Sequence, residues 1–466
     1  MIEGLKPYAE YKESGQAWLG SVPVHWSLLP NRAIFDEVKD RNHPKEEMLS
    51  VTITRGIVRQ KALLDGSSKK DSSNLNKGAY KLVQPNDIAY NKMRAWQGAL
   101  GVSALRGIIS PAYVVMRPRK EMNPFFYHQL YRTPLFAKEA ERWSYGITSD
   151  MWSLRPEHFK VIGSVLPPPE EQSAIVRFLD HANRKIDGFI RAKRKLIGLL
   201  NEQKHAIIHR AVTRGLDHDV KLKPSGIPWL TEAPAHWTWI PIKLLLSRMD
   251  YGTSEKSTAS GIIRILTMGN IQKGEVTVPQ SGGLNSLPES LLLQHHDLLF
   301  TRTNGNPNLV GKVGIFRGEV AERISFASYL VRLRVKRDYD PEWLHMVLNS
   351  VAFWPFAQSH ALVNLQTNLN STRYGQFSVP VPPLAEQKEI VKWVSGESEN
   401  LNAAITRTER EIALMQEYRT RLTADIVTGK LDVREAAAKL PDLSPDTTPE
   451  SITDDEALDE TETEES

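Results

Sequence analysis

The feature that most constrains this chain is that it repeats itself. "SGQAWLGSVPVHW", which begins at Ser14, returns as "SGIPWLTEAPAHW" at Ser225, with Ser, Gly, Trp, Leu, Pro, His and Trp in the same seven places. "LPPPEEQSAIVRFLD" from Leu166 matches "VPPLAEQKEIVKWVS" from Val381, and "AVTRGLD" from Ala211 matches "IVTGKLD" from Ile426, both at a spacing of 215 residues. A repeated unit fixes an architecture before any single residue is interpreted. The matches bracket similar lengths of chain in the same order, so the sequence predicts two copies of one module. At 466 residues the chain is long enough for each copy to bury a core of its own.

The stretch after each proline cluster is the most regular part. Ile175, Leu179, Ile186, Ile190, Ile197, Leu200 and Ile207 step by 4, 7, 4, 7, 3 and 7 residues, and Ile390, Val394, Leu401, Ile405, Ile412, Met415 and Leu422 repeat the series 215 residues later. Such spacing keeps an apolar seam on one side of a helix. Proline fits the first turn of a helix and glycine its stop, which places the ends of both near Gly215 and Gly429. A helix of about 40 residues runs for about 60 Å and would overhang its own module. Antiparallel pairing of the two helices as a coiled coil is expected to bury both seams.

Between the helices, runs such as "MLSVTITRGIVRQ", "NDIAYNKM", "AYVVMRP", "IIRILTMGNIQKGEV", "HDLLFTRT" and "SYLVRLRV" are β-branched or aromatic and broken by Gly, Asn and Pro. They predict mixed α and β globular domains. Internal echoes ("NDIAYNKMR" then "SPAYVVMR"; "HDLLFTRTN" then "SFASYLVRLR") suggest a shared scaffold with different loops. The reading is α+β: a first domain over 1–165, a long helix in 166–215, a second domain over 216–380, a long helix in 381–430 and an acidic, disordered tail over 431–466. The tandem repeat with antiparallel helices implies a pseudo-twofold axis.

Composition bounds the function. The chain carries 59 Lys and Arg against 55 Asp and Glu. Eleven of those acids, and no Lys or Arg, lie in 441–466, so residues 1–440 hold a formal +15, being +4 plus 11. A basic body of this kind suits a polyanion. No apolar run approaches the roughly 20 residues of a membrane helix, and "MIEGLKPYAEYKESG" lacks the apolar stretch of a signal peptide, so a cytoplasmic protein is expected. With no cysteine, disulfides, thiolate metal sites and a cysteine nucleophile are excluded.

In this order of elements, and in the "SGxxWLxxxPxHW" opening, "NKMRAWQGALGVS" with "GIISPAYVVMRP", "LTMGNIQKGEV" with "SFASYL", and the two "PPxxEQxxIV" helix starts, the chain resembles the specificity subunit of type I restriction–modification systems, up to about Ala438. The resemblance implies no chemistry on this chain. Each of two target-recognition domains reads one half of a split, asymmetric site in double-stranded DNA, and the helices hold two methyltransferase subunits. Adenine methylation would use S-adenosylmethionine bound by those partners, on a flipped base. A motor and nuclease subunit using ATP and Mg would complete the complex. No membrane is involved, and the acidic tail lies outside the family pattern. Two other classes suit the composition: a stand-alone DNA-modifying enzyme, and a nucleic-acid-binding scaffold with no restriction role.

Rival chemistry is thin. "GNPNLVGKV" from Gly305 has five residues between its glycines and Val313 where a phosphate loop needs Ser or Thr. "NPFF" at Asn123 lacks the second proline of a methyltransferase loop and reads as a helix start. His295 and His296 precede Asp297 with no third ligand at sensible spacing, which favours a turn over a metal site. His25–Trp26 and His236–Trp237 read as structural. Base edges are read by Arg, Lys, Asn and Gln, and phosphates are held by Lys, Arg, Ser and Thr from loops. The DNA-contact candidates are therefore Arg55, Lys92, Arg94, Trp96, Gln97, Tyr145 and Ser149 in the first domain. In the second they are Thr253, Ser254, Lys256, Asn270, Arg302, Asn304 and Asn368.

Overall fold

The computed structural model describes residues 5–64, 77–119, 122–146, 151–272, 274–304, 306, 309–318, 323–363 and 367–441. Ser149, the tail from 442 onward, and Gly305, Pro307 and Asn308 of the glycine-spaced segment lie outside the described residues. The chain divides into two compact units, Met1–Ala192 with Glu411–Ser466, and Lys193–Arg410.

Unit 1 is built on an antiparallel sheet in the order Phe35–Val38, Tyr113–Pro118, Ile88–Asn91, Leu100–Val102. Successive side chains of a strand point to opposite faces, and here both faces are covered. Tyr90, Val114 and Met116 join the core under the helix Pro124–Tyr131, while Ala89 and Val115 join a second core with Leu49 and Val51 of the hairpin Leu49–Thr52/Gly56–Arg59. Unit 2 repeats the order as Leu246–Tyr251, Leu330–Val335, Leu298–Thr301, Val313–Ile315 and extends it by two short strands, Glu275–Val276 and Ile271–Gln272. The echoes in the sequence are thus neighbouring strands: Tyr113 lies opposite Asn91, and Leu298 opposite Leu333.

The turn into the first echo strand of each unit is also repeated. Asn86 and His296 both take left-handed backbone, at φ 74° and 66°. The following carboxylates, Asp87 and Asp297, accept the N–H of Gln84 (2.9 Å) and Gln294 (2.7 Å) and are gripped by both arms of Arg117 and Arg334. The paired histidines belong to this turn. Among the described residues, no group of three or more metal-ligating side chains comes together.

The two long helices span Pro169–Arg214 and Leu384–Val427. In unit 1, Ile175, Phe178, Leu179 and Ala182 share a core with Leu422, Ile426 and Val427, and Asp187, further along the first helix, pairs with Arg419, earlier in the second. In unit 2, Ala211 and Val212 share a core with Ile390 and Val394, while the Lys204 ammonium donates to Asn402 Oδ1 at 2.9 Å. Within each unit the segments therefore run antiparallel. The seam is not buried throughout, as the periodicity alone implies. Ile175, Leu179, Ile186, Ile190, Ile390, Val394 and Leu422 are buried, whereas Ile197, Leu200, Ile207, Leu401, Ile405, Ile412 and Met415 are half-buried. Ile175, Leu179, Ile390, Val394 and Leu422 are sealed within the cores of the globular domains.

The doubled "SGxxWLxxxPxHW" is explained by one carboxylate per unit. Glu171, 4% exposed, accepts the Trp26 indole N–H (3.0 Å) and the Tyr8 hydroxyl, and faces His25 Nε2 at 2.9 Å. Glu386 accepts the Trp237 indole N–H (3.0 Å) and faces His236 Nε2 at 2.8 Å. The adjacent glutamines tie the helix starts to the domains. Gln172 takes the Asn123 N–H (2.9 Å) and donates to Pro167 O (2.7 Å); Gln387 takes the Asp340 N–H (2.8 Å) and donates to Pro382 O (2.8 Å). The first tryptophan of each motif donates to a strand, Trp18 to Gly163 O and Trp229 to Ser378 O. The motif and the "EQ" helix start are two halves of one latch.

Ordered chain continues past Leu431, where the tail was expected to begin. Val433, the N-cap of the short helix Arg434–Ala438, and Ala437 within it are buried in the unit 1 core, and Arg177 donates to the carbonyls of Leu440 and Pro441. Leu431, Val433, Ala437 and Leu440 supply an apolar side, and the uninterrupted acids begin only at Asp442.

Candidate nucleic-acid interface

Four of the unit 1 candidates lie in one turn. After strand Ile88–Asn91 the chain makes the short 3-10 helix Ala95–Gln97 and turns back at Gly98, whose φ of 92° is the left-handed backbone glycine favours. Arg94 and Gln97 are exposed and joined by a 3.3 Å hydrogen bond; Lys92 is half-buried; the Trp96 indole donates to Met93 O at 3.0 Å. The segment carrying Tyr145 docks here. Leu154 N–H donates to Lys92 O (2.9 Å), Trp152 stands edge-on to Trp96 with centroids 5.5 Å apart, and Tyr145, 60% exposed, bridges to Ser153.

Several cations gather near Lys81 and Tyr113. Burial holds the Lys81 ammonium below its ordinary range, and Lys92, Arg41 and Lys39 push the same way; burial raises the Tyr113 phenol against the pull of Arg94. Glu37 counters locally, through Lys160 (2.6 Å) and Lys39 (3.3 Å). Lys39 and Arg41 were missed by the sequence reading. The cluster "KDRNHPK" was a signal for them, but nothing in it says that strand Phe35–Val38 lies next to Tyr113–Pro118.

Arg55 sits elsewhere, in the turn of the hairpin, its N–H donating to Thr52 Oγ1 at 3.0 Å. What joins this hairpin to the first turn is Arg132, at the C-terminal end of helix Pro124–Tyr131, together with His128 of that helix. Arg132 donates to Leu100 O (2.8 Å), Ile53 O (3.0 Å) and Thr54 O, and His128 Nδ1 accepts the Val102 N–H at 3.0 Å. Burial lowers the Arg132 guanidinium to about 10 and the His128 imidazole to about 3. Neither was singled out from the sequence.

In unit 2, Arg302, Asn304 and Asn368 come together where strand Thr303–Asn304 pairs with Thr367–Asn368. The Arg302 guanidinium lies 5.1 Å from the ring centroid of Tyr251, whose hydroxyl meets Ser371 Oγ, and Asn304 Oδ1 accepts the Asn306 N–H at 2.9 Å. Tyr251 and Tyr329 are 45% and 47% exposed, and Arg302 N–H donates to Tyr329 O at 3.0 Å. Exposed aromatic faces beside an arginine suit stacking and phosphate contact. Ser254 and Lys256 are exposed on the loop that follows Tyr251. Thr253 is buried, its hydroxyl accepting the Glu255 N–H (3.1 Å), so the structure gives it an internal role. Asn270 stands apart, its Oδ1 occupied by the N–H (2.8 Å) and hydroxyl (3.1 Å) of Thr267. No described helix is long and apolar enough to cross a membrane.

No family model matches the chain. Among curated proteins it is 22% identical over 455 residues to the type I restriction enzyme EcoKI specificity subunit of Escherichia coli (strain K12), covering 88% of this chain and 94% of that protein. It is 21% identical over 447 residues to the StySPI specificity subunit of Salmonella potsdam, with the same coverage. A solved chain, from work on complex assembly and conformational transition of the type I R-M system, superposes with a TM-score of 0.62 at 13% identity over 87% of this chain and 98% of that one. In sequence and in fold, over most of its length, the chain is a relative of type I restriction enzyme specificity subunits.

Proposed function

We propose that the chain is the sequence-specific DNA-binding specificity subunit of a type I restriction–modification complex, reading a split, asymmetric duplex site with one half assigned to each unit. The observation that carries this reading is the contrast between frame and loops. Both units have the same four-strand order, the same turn at Asp87 and Asp297 and the same latch at Glu171 and Glu386. Their exposed polar clusters share no such likeness: a tryptophan-flanked cationic turn in one, an Arg–Tyr–Asn group in the other. Like scaffolds with unlike loops suit two readers of different base sequences. The boundaries read from the sequence, 1–165 and 216–380, remain the proposed recognition domains.

On this reading the chain itself performs no catalysis. Two methyltransferase subunits dock on it, supplying S-adenosylmethionine chemistry, and motor and nuclease subunits join through them with ATP and Mg. Purified chain assembled with its modification subunits should methylate adenines in one motif made of two unlike halves with an unread gap, mapped by sequencing host DNA. Replacing residues 20–165 with the matching domain of a related subunit should change one half alone. Methyl transfer by the chain on its own, or a swap that alters both halves, would overturn the proposal.

A further inference from the structure

The helices Pro124–Tyr131 and Pro341–Leu348 hold the same place in the two units, and both begin at an Asn or Asp cap followed by proline. Each carries a histidine four residues after that proline, His128 and His345, and each ends on a polar C-terminal cap residue, Arg132 and Asn349. Beside each helix lies a short strand, Leu100–Val102 at the edge of its sheet or Val313–Ile315 inside its own, and beyond it a hairpin with a left-handed glycine, Gly56 (φ 73°) or Gly274 (φ 82°). The units fasten that hairpin differently. In unit 2 the histidine does it: His345 Nε2 donates to Gly274 O at 2.8 Å, while the Asn349 amide donates to Val313 O at 2.9 Å and to His345 O of its own helix at 3.1 Å. In unit 1, His128 takes the edge strand and the hairpin is left to the longer side chain at the cap. Arg132 bonds Leu100 O with one guanidinium nitrogen and both Ile53 O and Thr54 O with another.

We propose that Arg132 is a positioning residue for recognition in unit 1, setting the hairpin turn that carries Arg55 against the turn that carries Arg94 and Gln97, so that the two are presented to DNA as one surface. The inference rests on the proposed function, to which it adds a specificity-determining role. Three features support it. The hairpin and edge strand approach so closely that a Cβ at Gly101 would lie 3.2 Å from Gly56 Cα, which makes their separation sensitive to what bridges them. Leu100 follows the Arg94 turn directly, so one guanidinium holds the root of one turn and the tip of the other. Among the described residues no carboxylate pairs with Arg132; its bonded partners are backbone carbonyls, as expected of a group that fixes loop geometry. Ile53 and Met93, on the two turns, are 40% and 38% exposed.

The test is competition binding of the assembled complex, wild type beside Arg132→Met and Arg132→Lys, against duplexes altered one base at a time across the motif. In Arg132→Met, discrimination should weaken by about tenfold at one or more bases of one half, the scale of a single lost readout, with the other half unchanged. Arg132→Lys keeps the charge without the fork and should relax the same half to a smaller extent. It also decides the matter should Arg132→Met fail to assemble. Unchanged discrimination in both halves, or equal loss in both, overturns the role of Arg132. A wild-type complex with no split motif overturns instead the functional reading beneath it.

Discussion

His128 and His345 show how a single side chain can be essential to local geometry and yet invisible to motif reading. Proline followed four residues later by histidine is too common a pattern to draw notice, even at a spacing of 217 residues. The meaning lies in what the rings meet. The Val102 N–H can only donate, so His128 Nδ1 must accept, and the ring is neutral with its proton on Nε2. Burial holds this imidazole down at about 3, with Arg132 adding to the effect, and burial lowers His345 as well. An unfolded histidine titrates near 6.5. Between that value and about 3 the unfolded chain therefore binds more protons than the folded one at His128. Stability contributed by the neutral ring is complete above pH about 6.5 and falls as pH drops, at no more than about 1.4 kcal/mol per pH unit for one proton. Urea unfolding at pH 7 and pH 5 should show a lower midpoint in acid, and His128→Asn, whose Oδ1 can still accept from Val102, should lessen the drop. An identical acid loss in wild type and variant would remove His128 from the account.

The long helices were the most legible elements, because twelve intervals of heptad-like spacing, six in each helix, cannot be hidden by tertiary context, and their glycine stops were legible with them. Each stop is also a packing site, which spacing does not reveal. Gly215 and Gly429 both take left-handed backbone, at φ 72° and 79°. Each lies against the tryptophan of a latch: a Cβ on Gly215 would meet Trp237 at 3.4 Å and Glu386 Oε1 at 3.3 Å, and one on Gly429 would meet Trp26 at 3.0 Å and Pro23 Cδ at 2.3 Å. The latch was hidden because its halves lie 145 residues apart, at Trp26 and Glu171, and only folding shows that the doubled Trp and the doubled Glu are partners. The contacts rank the two glycines. Alanine at either site incurs the left-handed strain of about 1 kcal/mol, but at 429 it also collides with a rigid proline ring. Gly429→Ala should lower stability by about 3 kcal/mol or more, the range of an overpacked core, and Gly215→Ala by about 1 kcal/mol. Thermal unfolding of the two variants that showed equal losses would contradict this packing argument.

At the scale of the molecule, the repeat and its mixed domains could be read from sequence because they are written as pattern; which of the proposed contact residues share a surface could be read only in part. Lys92, Arg94, Trp96 and Gln97 share one turn and were found together, whereas Thr253 turned inward and Asn270 closed on its own cap, since a polar residue in a loop satisfies the backbone as readily as it meets a ligand. Charge is the property that belongs to the whole chain. Residues 1–440 carry a formal +15 and the eleven acids after Pro441 carry the opposite sign on the same polypeptide, so on the proposed function tail carboxylates are expected to compete with DNA phosphates for one set of cations. Such competition is screened within about 10 Å at 0.1 M salt and matters most in dilute buffer. Removing 442–466 leaves intact the carbonyls of Leu440 and Pro441 that Arg177 holds, so the folded part of unit 1 keeps its closing contacts. The truncated chain should bind nonspecific duplex more tightly at low ionic strength. Its affinity should fall more steeply with salt, by about 0.9 in logarithmic slope for each additional phosphate engaged. Its recognised motif should not change, because the expected competition is for charge and the tail lies outside the proposed recognition domains. Titration of full-length and truncated protein against the same random-sequence duplex, from dilute buffer upward, measures both quantities; superimposable curves at the lowest salt would show that the tail does not compete for the basic surface.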